Sequence, residues 1–432
     1  MFDQGTLRRS TQTRTVAALL TMATALLLPC VLMPNAMAQQ EPQDAQSKPT
    51  KIAPDQLLQP LVEKSDELPP AAQSKLVNAI YNATKSAKHA KDYTALIEQC
   101  DQTIKAKINQ KNRSYVTSIK GWAFNRRGES RLDVARQFKS IGSVQQFKKA
   151  FAQSMQDFDM GLISDPKRHR SWNARGVAFM VNENWNAATK DFTEATKLKP
   201  DYVAGWFNRA EANYHAERFE QAIKDYETVI RFDSDDAEAL TGRAHSLLAI
   251  DKFETAMKDY DAVVVLLNDQ PMPRVNRGDA WRSAGKWVQA LKDYQTAVQL
   301  KPETSDSQQV LVARQRLAWL LATCPDSKIA DGTQALELIQ NVIQNDGETS
   351  ARLETLAAAQ AATGAFDSAK TSQTNAIRLV NSEEISDESP SKVRLTLYEQ
   401  NQPFRLSPDE EKDSTSGSDK PLNDADRSKN QD

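Results

Sequence analysis

One triplet, Lys-Asp-aromatic, recurs at a fixed offset of 34 residues, as Lys190-Asp191-Phe192, Lys224-Asp225-Tyr226, Lys258-Asp259-Tyr260 and Lys292-Asp293-Tyr294. Asp157-Phe158 continues it upstream. Other columns keep the same register. Ala188, Ala222, Ala256 and Ala290 share one, and Gly176, Ala210, Ala244 and Gly278 share another, so helices can approach closely where nothing larger than a methyl intervenes. Trp185, Phe219, Phe253 and Trp287 form a third column and Leu198, Phe232, Leu266 and Leu300 a fourth, both expected to fill the space between helical hairpins. Ala188, Phe192 and Ala195, spaced i, i+4, i+7, fall on one helical stripe. A repeat of this length predicts an all-α solenoid, in which each unit is too small to bury its own apolar face and buries it on its neighbours.

The register is similar to the tetratricopeptide repeat (TPR), whose pattern runs Trp, Leu-Gly, Tyr, then Ala, Phe, Ala and Pro. Residues 169–202 carry it most fully, with Trp172, Gly176, Phe179, Ala188, Phe192, Ala195 and Pro200 in place and Arg175 standing where Leu precedes the Gly. Residues 203–236 and 237–270 lack the closing Pro, and 271–304 regains it at Pro302. The resemblance implies a right-handed superhelix of about seven to eight hairpins, four of them well matched. It also implies a non-enzymatic role, holding a peptide or partner protein in a groove.

Outside those four units the match loosens. Asn125-Arg126-Arg127-Gly128 reads as the first helix of an earlier unit and Asp157 to Pro166 as the end of its second, with roughly 14 extra residues near Leu132 to Phe147. Leu76 to Ile108 has helical periodicity. Downstream, the run from Arg316 through Cys324 to Asp326, and the one from Leu353 to Ala369, resemble the closing hairpins of large exported bacterial TPR proteins. The segment from Tyr398 to Arg405 belongs to the same resemblance and is expected to cap the last hairpin. The chain thus divides into a signal peptide (1–38), a disordered linker (39–55), a degenerate hairpin (56–110), a repeat with an insertion (111–168), four repeats (169–202, 203–236, 237–270, 271–304), a degenerate hairpin (308–348) and a repeat-like one (349–381). A linker and capping segment (382–405) and a disordered tail (406–432) complete it.

The N-terminus sets the expected compartment. Arg8, Arg9 and Arg14 precede an apolar run from Val16 to Leu28, and Ala36-Met37-Ala38 offers a small-x-small cleavage site, so 1–38 reads as a secretory signal and Gln39 as the first mature residue. The protein is then periplasmic or secreted, with no membrane span after cleavage. An uncleaved anchor is the rival, because the run can be stretched to Met33. Ser10-Thr11-Gln12 lacks the apolar residues a twin-arginine signal needs, and Pro29 blocks a lipoprotein reading of Cys30. Residues 1–38 hold three Arg and one Asp, so the remainder has a net charge near −4, which argues against a nucleic-acid partner. Cys100 and Cys324 lie in hairpins near opposite ends of the stack, too far apart for a disulfide, and are expected as unpaired thiols.

Motifs that carry chemistry are missing. The four histidines, His89, His169, His215 and His245, fall in no His-Glu-x-x-His or Cys-x-x-Cys context, and neither a phosphate-cradling Gly-rich loop nor a Gly-x-Ser-x-Gly elbow occurs. The expectation is no catalytic residue, no cofactor and no metal. Arg175, Arg209, Arg243 and Arg277 recur at 34 alongside Asp191, Asp225, Asp259 and Asp293. Repetition in every unit is what a register-fixing ion pair would show; the alternative is an Arg ladder that grips acidic peptides.

The resemblance places the inward face on the first helix of each hairpin, where the candidates are Arg170, Asn173, Phe207, Asn208, Glu211, Tyr214, His215, Thr241, His245, Asn276, Asp279 and Arg282. The set is mixed in charge. The two-Lys, two-Asn carboxylate clamp of chaperone-binding relatives is not reproduced, and of Asn173, Asn208 and Asn276, which resemble an asparagine ladder, only the last two share a column. The functional expectation is a scaffold or adaptor for a protein or peptide ligand outside the cytoplasm. Its alternative is an accessory or regulatory subunit of an envelope enzyme acting on peptidoglycan or polysaccharide.

Overall fold

A computed structural model describes residues 67–300, 307–380 and 389–407. The signal peptide, the 39–55 linker and residues 408–432 of the tail lie outside the described residues, as do 301–306 and 381–388. Seventeen helices and no strand are found among the described residues, and the architecture is a TPR-type solenoid of helical hairpins. Contacts divide the chain between Phe232 and Asp233 into two compact units.

The first unit holds four hairpins. They pair α1 (Pro70–Ser86) with α2 (Ala90–Lys105), α3 (Gln110–Ser140) with α4 (Val144–Ser164), α5 (His169–Val181) with α6 (Trp185–Leu198), and α7 (Val203–His215) with α8 (Phe219–Phe232). The second unit holds α9 (Ala237–Leu248) with α10 (Phe253–Leu266), α11 (Pro271–Ser283) with α12 (Trp287–Gln299), α13 (Ser307–Thr323) with α14 (Gly332–Asp346), α15 (Ser350–Ala362) with α16 (Phe366–Leu379), and then the single helix α17 (Pro390–Glu399). None of these helices is long and apolar enough to cross a membrane.

The small-residue columns form the seams. Ala188, Ala222, Ala256 and Ala290 are fully buried, as are Ala210 and Ala244. Where Gly replaces Ala, the aromatic ring of the same hairpin moves in: a methyl on Gly176 would lie 2.6 Å from Cε1 of Phe192, and one on Gly278 would lie 2.6 Å from Cε1 of Tyr294. The inserted hairpin spends its extra residues on helix length, since α3 has 31 residues and α4 has 21. The fourth column departs from expectation. Leu198 and Phe232 are 42% and 53% exposed, because they stand at helix ends beyond the last stripe position that faces the seam.

Side-chain caps start several helices: Asn109, Asn184, Asp236, Asp331, Thr349 and Ser389 each accept from a backbone N–H three residues on. The turn inside each hairpin has its own column. Glu183, Glu217, Asp251 and Gly285, again 34 apart, all have φ between 57° and 67°. That left-handed conformation suits Gly and costs other residues about 1–2 kcal/mol. Asp251→Gly should therefore raise the second unit's stability by about 1 kcal/mol, less the entropy glycine loses on folding, read from denaturant midpoints. A lower midpoint would mean that the Asp side chain itself holds the turn.

Among the described residues, Cys100 and Cys324 are buried and free. Burial pushes the Cys100 thiol up to about 12 and raises that of Cys324, so neither is a nucleophile at neutral pH.

Candidate partner-binding face

The four hairpins from α5–α6 to α11–α12 are each locked internally by the repeated Arg and Asp. Arg175 donates from Nε and Nη2 to the two carboxylate oxygens of Asp191 at 2.8 and 2.9 Å. Arg209 meets Asp225 in the same two-point geometry at 2.8 and 2.6 Å, Arg243 meets Asp259 at 2.8 and 2.7 Å, and Arg277 meets Asp293 at 2.8 and 2.7 Å. The four aspartates are buried. Hydrogen bonds to these carboxylates raise the pKa of Arg175 and Arg277 above the ordinary guanidinium value. Two of the arginines also lie over a tryptophan of their own helix, Arg175 over Trp172 and Arg209 over Trp206, with the guanidinium 5.1 and 4.6 Å from the ring centre.

The inserted hairpin has the same lock. Arg127 donates to both oxygens of Asp157, and Arg131 adds a third bond to that carboxylate at 2.8 Å. The partners are 30 residues apart here instead of 16, so the whole insertion lies between them as added helix. Arg127 stands just before Gly128 as Arg175 stands before Gly176, and that signal was present in the sequence. The arginine column is therefore framework, turned onto its own hairpin.

Several of the candidates are engaged inside the protein. Asn173, Asn208, Glu211, Thr241 and Arg282 are buried. Asn208 Nδ2 donates to Asn173 Oδ1 at 2.9 Å, and Thr241 Oγ1 donates to the Ala237 carbonyl at 2.7 Å. Glu211 accepts from the Tyr226 hydroxyl. These five side chains offer a ligand little surface, because the helices they stand on approach their neighbours too closely.

The remainder are reachable. Arg170 is exposed, while Phe207, Tyr214, His215, His245, Asn276 and Asp279 are half-buried. In the first unit Phe207 meets Tyr226 edge-on, His215 stacks on Trp185 with ring centres 4.7 Å apart, and Tyr214 meets His215 edge-on. In the second unit Asp279 accepts from the Tyr294 hydroxyl at 2.6 Å and lies 3.4 Å from Nε of Arg316. Desolvation lowers the pKa of His245 to about 4, so it is neutral at physiological pH.

A pairing rule at a spacing of 15 went unread in the sequence. Glu211 bonds Tyr226 and Asp279 bonds Tyr294, while the hairpin before Glu211 holds Val177 and Phe192 at the equivalent positions and the hairpin before Asp279 holds His245 and Tyr260, whose rings meet edge-on. In these two hairpins the hydroxyl of the buried Tyr meets a carboxylate from the first helix.

Burial pushes the Glu211 carboxyl up to about 7, against the opposing pull of the Tyr226 hydrogen bond. A carboxyl raised in this way stabilises fully below its ordinary value of 4.5, and the contribution is lost as pH rises through 7. The melting temperature should therefore fall from about pH 5 to about pH 7.5 more steeply in the wild type than in Glu211→Gln. Parallel curves would show that Glu211 folds ionised.

A cleft of ≈ 450 Å³ opens among α6, α7 and α8, lined by Thr193, Trp206, Arg209, Asn213 and Lys224 among others. Asn213 in its lining stands in the register that holds Phe179, Leu247 and Trp281 in the other matched hairpins. Among the described residues no group of three or more His, Cys, Asp or Glu is placed to hold a metal ion.

Tandem hairpins with a constant internal lock and a varied face define the class of helical-repeat proteins that bind other proteins. A family model described as tetratricopeptide repeat matches residues 173–237, so the chain carries tetratricopeptide repeats there. No curated protein sequence matches it. Among solved structures, a tetratricopeptide repeat protein from Parabacteroides merdae is 14% identical with a TM-score of 0.46, over 63% of this chain and 98% of that one. Pseudomonas aeruginosa pilF is 13% identical with a TM-score of 0.39, over 52% and 95%. A thermophilic TPR protein of Thermus thermophilus is 17% identical with a TM-score of 0.35, over 44% and 98%.

Proposed function

We propose that this protein is a non-enzymatic scaffold that holds a protein or peptide partner against the face of its first helices, outside the cytoplasm. One observation carries the reading. The lock is the same in the four matched repeats, while the reachable residues beside it change from Arg170 in one hairpin to Phe207, Tyr214 and His215 in the next. A constant frame with a varied, partly apolar face suits recognition of an extended partner by successive hairpins.

The placement outside the cytoplasm rests on residues 1–38 alone. Mass analysis of the protein recovered from its own envelope should find Gln39 as the first residue; a retained Met1 terminus would make it an anchored protein. Crosslinking in the same fraction tests the scaffold role. Binding or structural proteins are expected among the products, and one stoichiometric enzyme of peptidoglycan or polysaccharide chemistry in their place would make the chain an accessory subunit.

A further inference from the structure

The closing hairpins of the second unit already carry a peptide, and it is the chain's own. Helix α17 ends at Glu399, and two residues on Asn401, whose φ of 58° turns the chain, lets the Gln402 N–H close onto the Leu397 carbonyl at 2.8 Å. Pro403 then keeps the strand out of helix. The segment passes the last hairpin, α15–α16, and reaches α13 in the hairpin before it. There the Phe404 ring lies 6.0 Å from that of Trp319, Nη1 of Arg405 donates to the Ala322 carbonyl at 2.5 Å, and the Leu406 N–H donates to the Thr323 carbonyl at 2.8 Å.

Those two carbonyls belong to the last turn of α13 and have no partner within the helix. A guanidinium there also faces the negative end of the helix dipole. Leu406, assigned to the tail on sequence grounds, is buried in the same core as Leu320, Ala358 and Ala359. A second anchor lies upstream. Arg394 donates to Glu354 of α15 at 2.9 Å and sits over the rings of both Trp319 and Phe404, while Tyr398 is fully buried among Ala357, Ala361 and Ala369.

A cap for the end of the stack needs to cover only α15 and α16. This segment goes one hairpin further, as a non-helical strip whose Gln402 and Arg405 stay exposed, and it docks on α13 and α15, the first helices of their hairpins. We infer that this face is a peptide-binding site occupied in cis by residues 398–406, and that in trans it accepts an extended segment carrying an aromatic-Arg-aliphatic triplet like Phe404-Arg405-Leu406. The inference rests on the interaction reading above but concerns α13 and α15 alone. A tethered segment competes at an effective concentration on the order of mM, so it excludes a trans ligand until its own grip is weakened.

The test uses a fluorescent peptide of residues 398–407, titrated by anisotropy against the full chain and against its Phe404→Ala/Arg405→Ala variant. The wild type should bind it at least about tenfold more weakly than the variant, and a peptide with Ala at the Arg405 position should bind neither. A variant that melts like the wild type yet ignores the peptide overturns the inference, and so does equal binding by both proteins. Should the variant fail to fold, hydrogen exchange on the unaltered chain decides. Excess peptide should speed exchange at the chain's own Leu406 amide, and an unchanged rate overturns the inference. Partner capture by the first unit is untouched by any of these outcomes, which separates failure here from failure of the scaffold reading.

Discussion

Asp225→Ala should lower the stability of the first unit by about 2–4 kcal/mol, among the largest effects of any single polar substitution. Asp225 is 4% exposed and accepts two bonds from Arg209 and one from Asn213 at 3.2 Å. Removing one partner of a buried pair leaves the other desolvated and unmatched, which costs about 3–5 kcal/mol when the pair is fully enclosed. The Arg209 side chain retains 18% of its exposure, so water recovers part of that loss. Arg209→Ala should also lower the melting temperature, by stranding the aspartate, without abolishing partner binding. The control is Glu194→Ala, since the exposed Glu194 and Lys197 form a surface pair whose loss should cost under about 1 kcal/mol. Comparable melting shifts for Glu194→Ala and Asp225→Ala would refute the lock.

Ala188→Leu should cost about 3 kcal/mol or more, for the opposite reason. Ala188 is fully buried in a cluster with Phe192, Val181, Ala178 and, from the following hairpin, Ala212. Three added carbons have no void to enter, so α6 and α7 must separate or the Phe192 ring must leave its place over Gly176. A Leu at the half-buried Ala187 one residue away has room to turn toward solvent and should be nearly neutral. Thermal unfolding of the two variants distinguishes a close-packed seam from a loose one.

The architecture was legible because its causes are local and repeated. The alanine column, the Gly/Ala column and the Arg and Asp columns are each dictated by a contact made in all four matched repeats, so an offset of 34 exposes them. Leu198 and Phe232 misled because a bulky residue at a helix end has the same periodic signature as one facing the seam. The face was less legible. Arg170 is exposed and Phe207 half-buried, but first-helix register alone does not say how near the neighbouring helix lies. Asn173, Asn208, Glu211, Thr241 and Arg282 proved buried for that reason. The path of residues 402–407 is less legible still, since it depends on contacts made about 80 residues away, such as Arg405 with Ala322.

The central claim is that the first-helix face captures a partner while the lock only holds the frame. It is tested most directly by comparing recovery of crosslinked partners from envelope extract with three proteins: the wild type, Arg170→Glu/Phe207→Ala, and Arg243→Lys, which keeps the charge but loses the two-point geometry. Partner recovery should collapse in the face variant with melting preserved, and persist in Arg243→Lys despite a lower melting temperature. Unchanged recovery in the face variant, or loss in Arg243→Lys alone, would contradict the account.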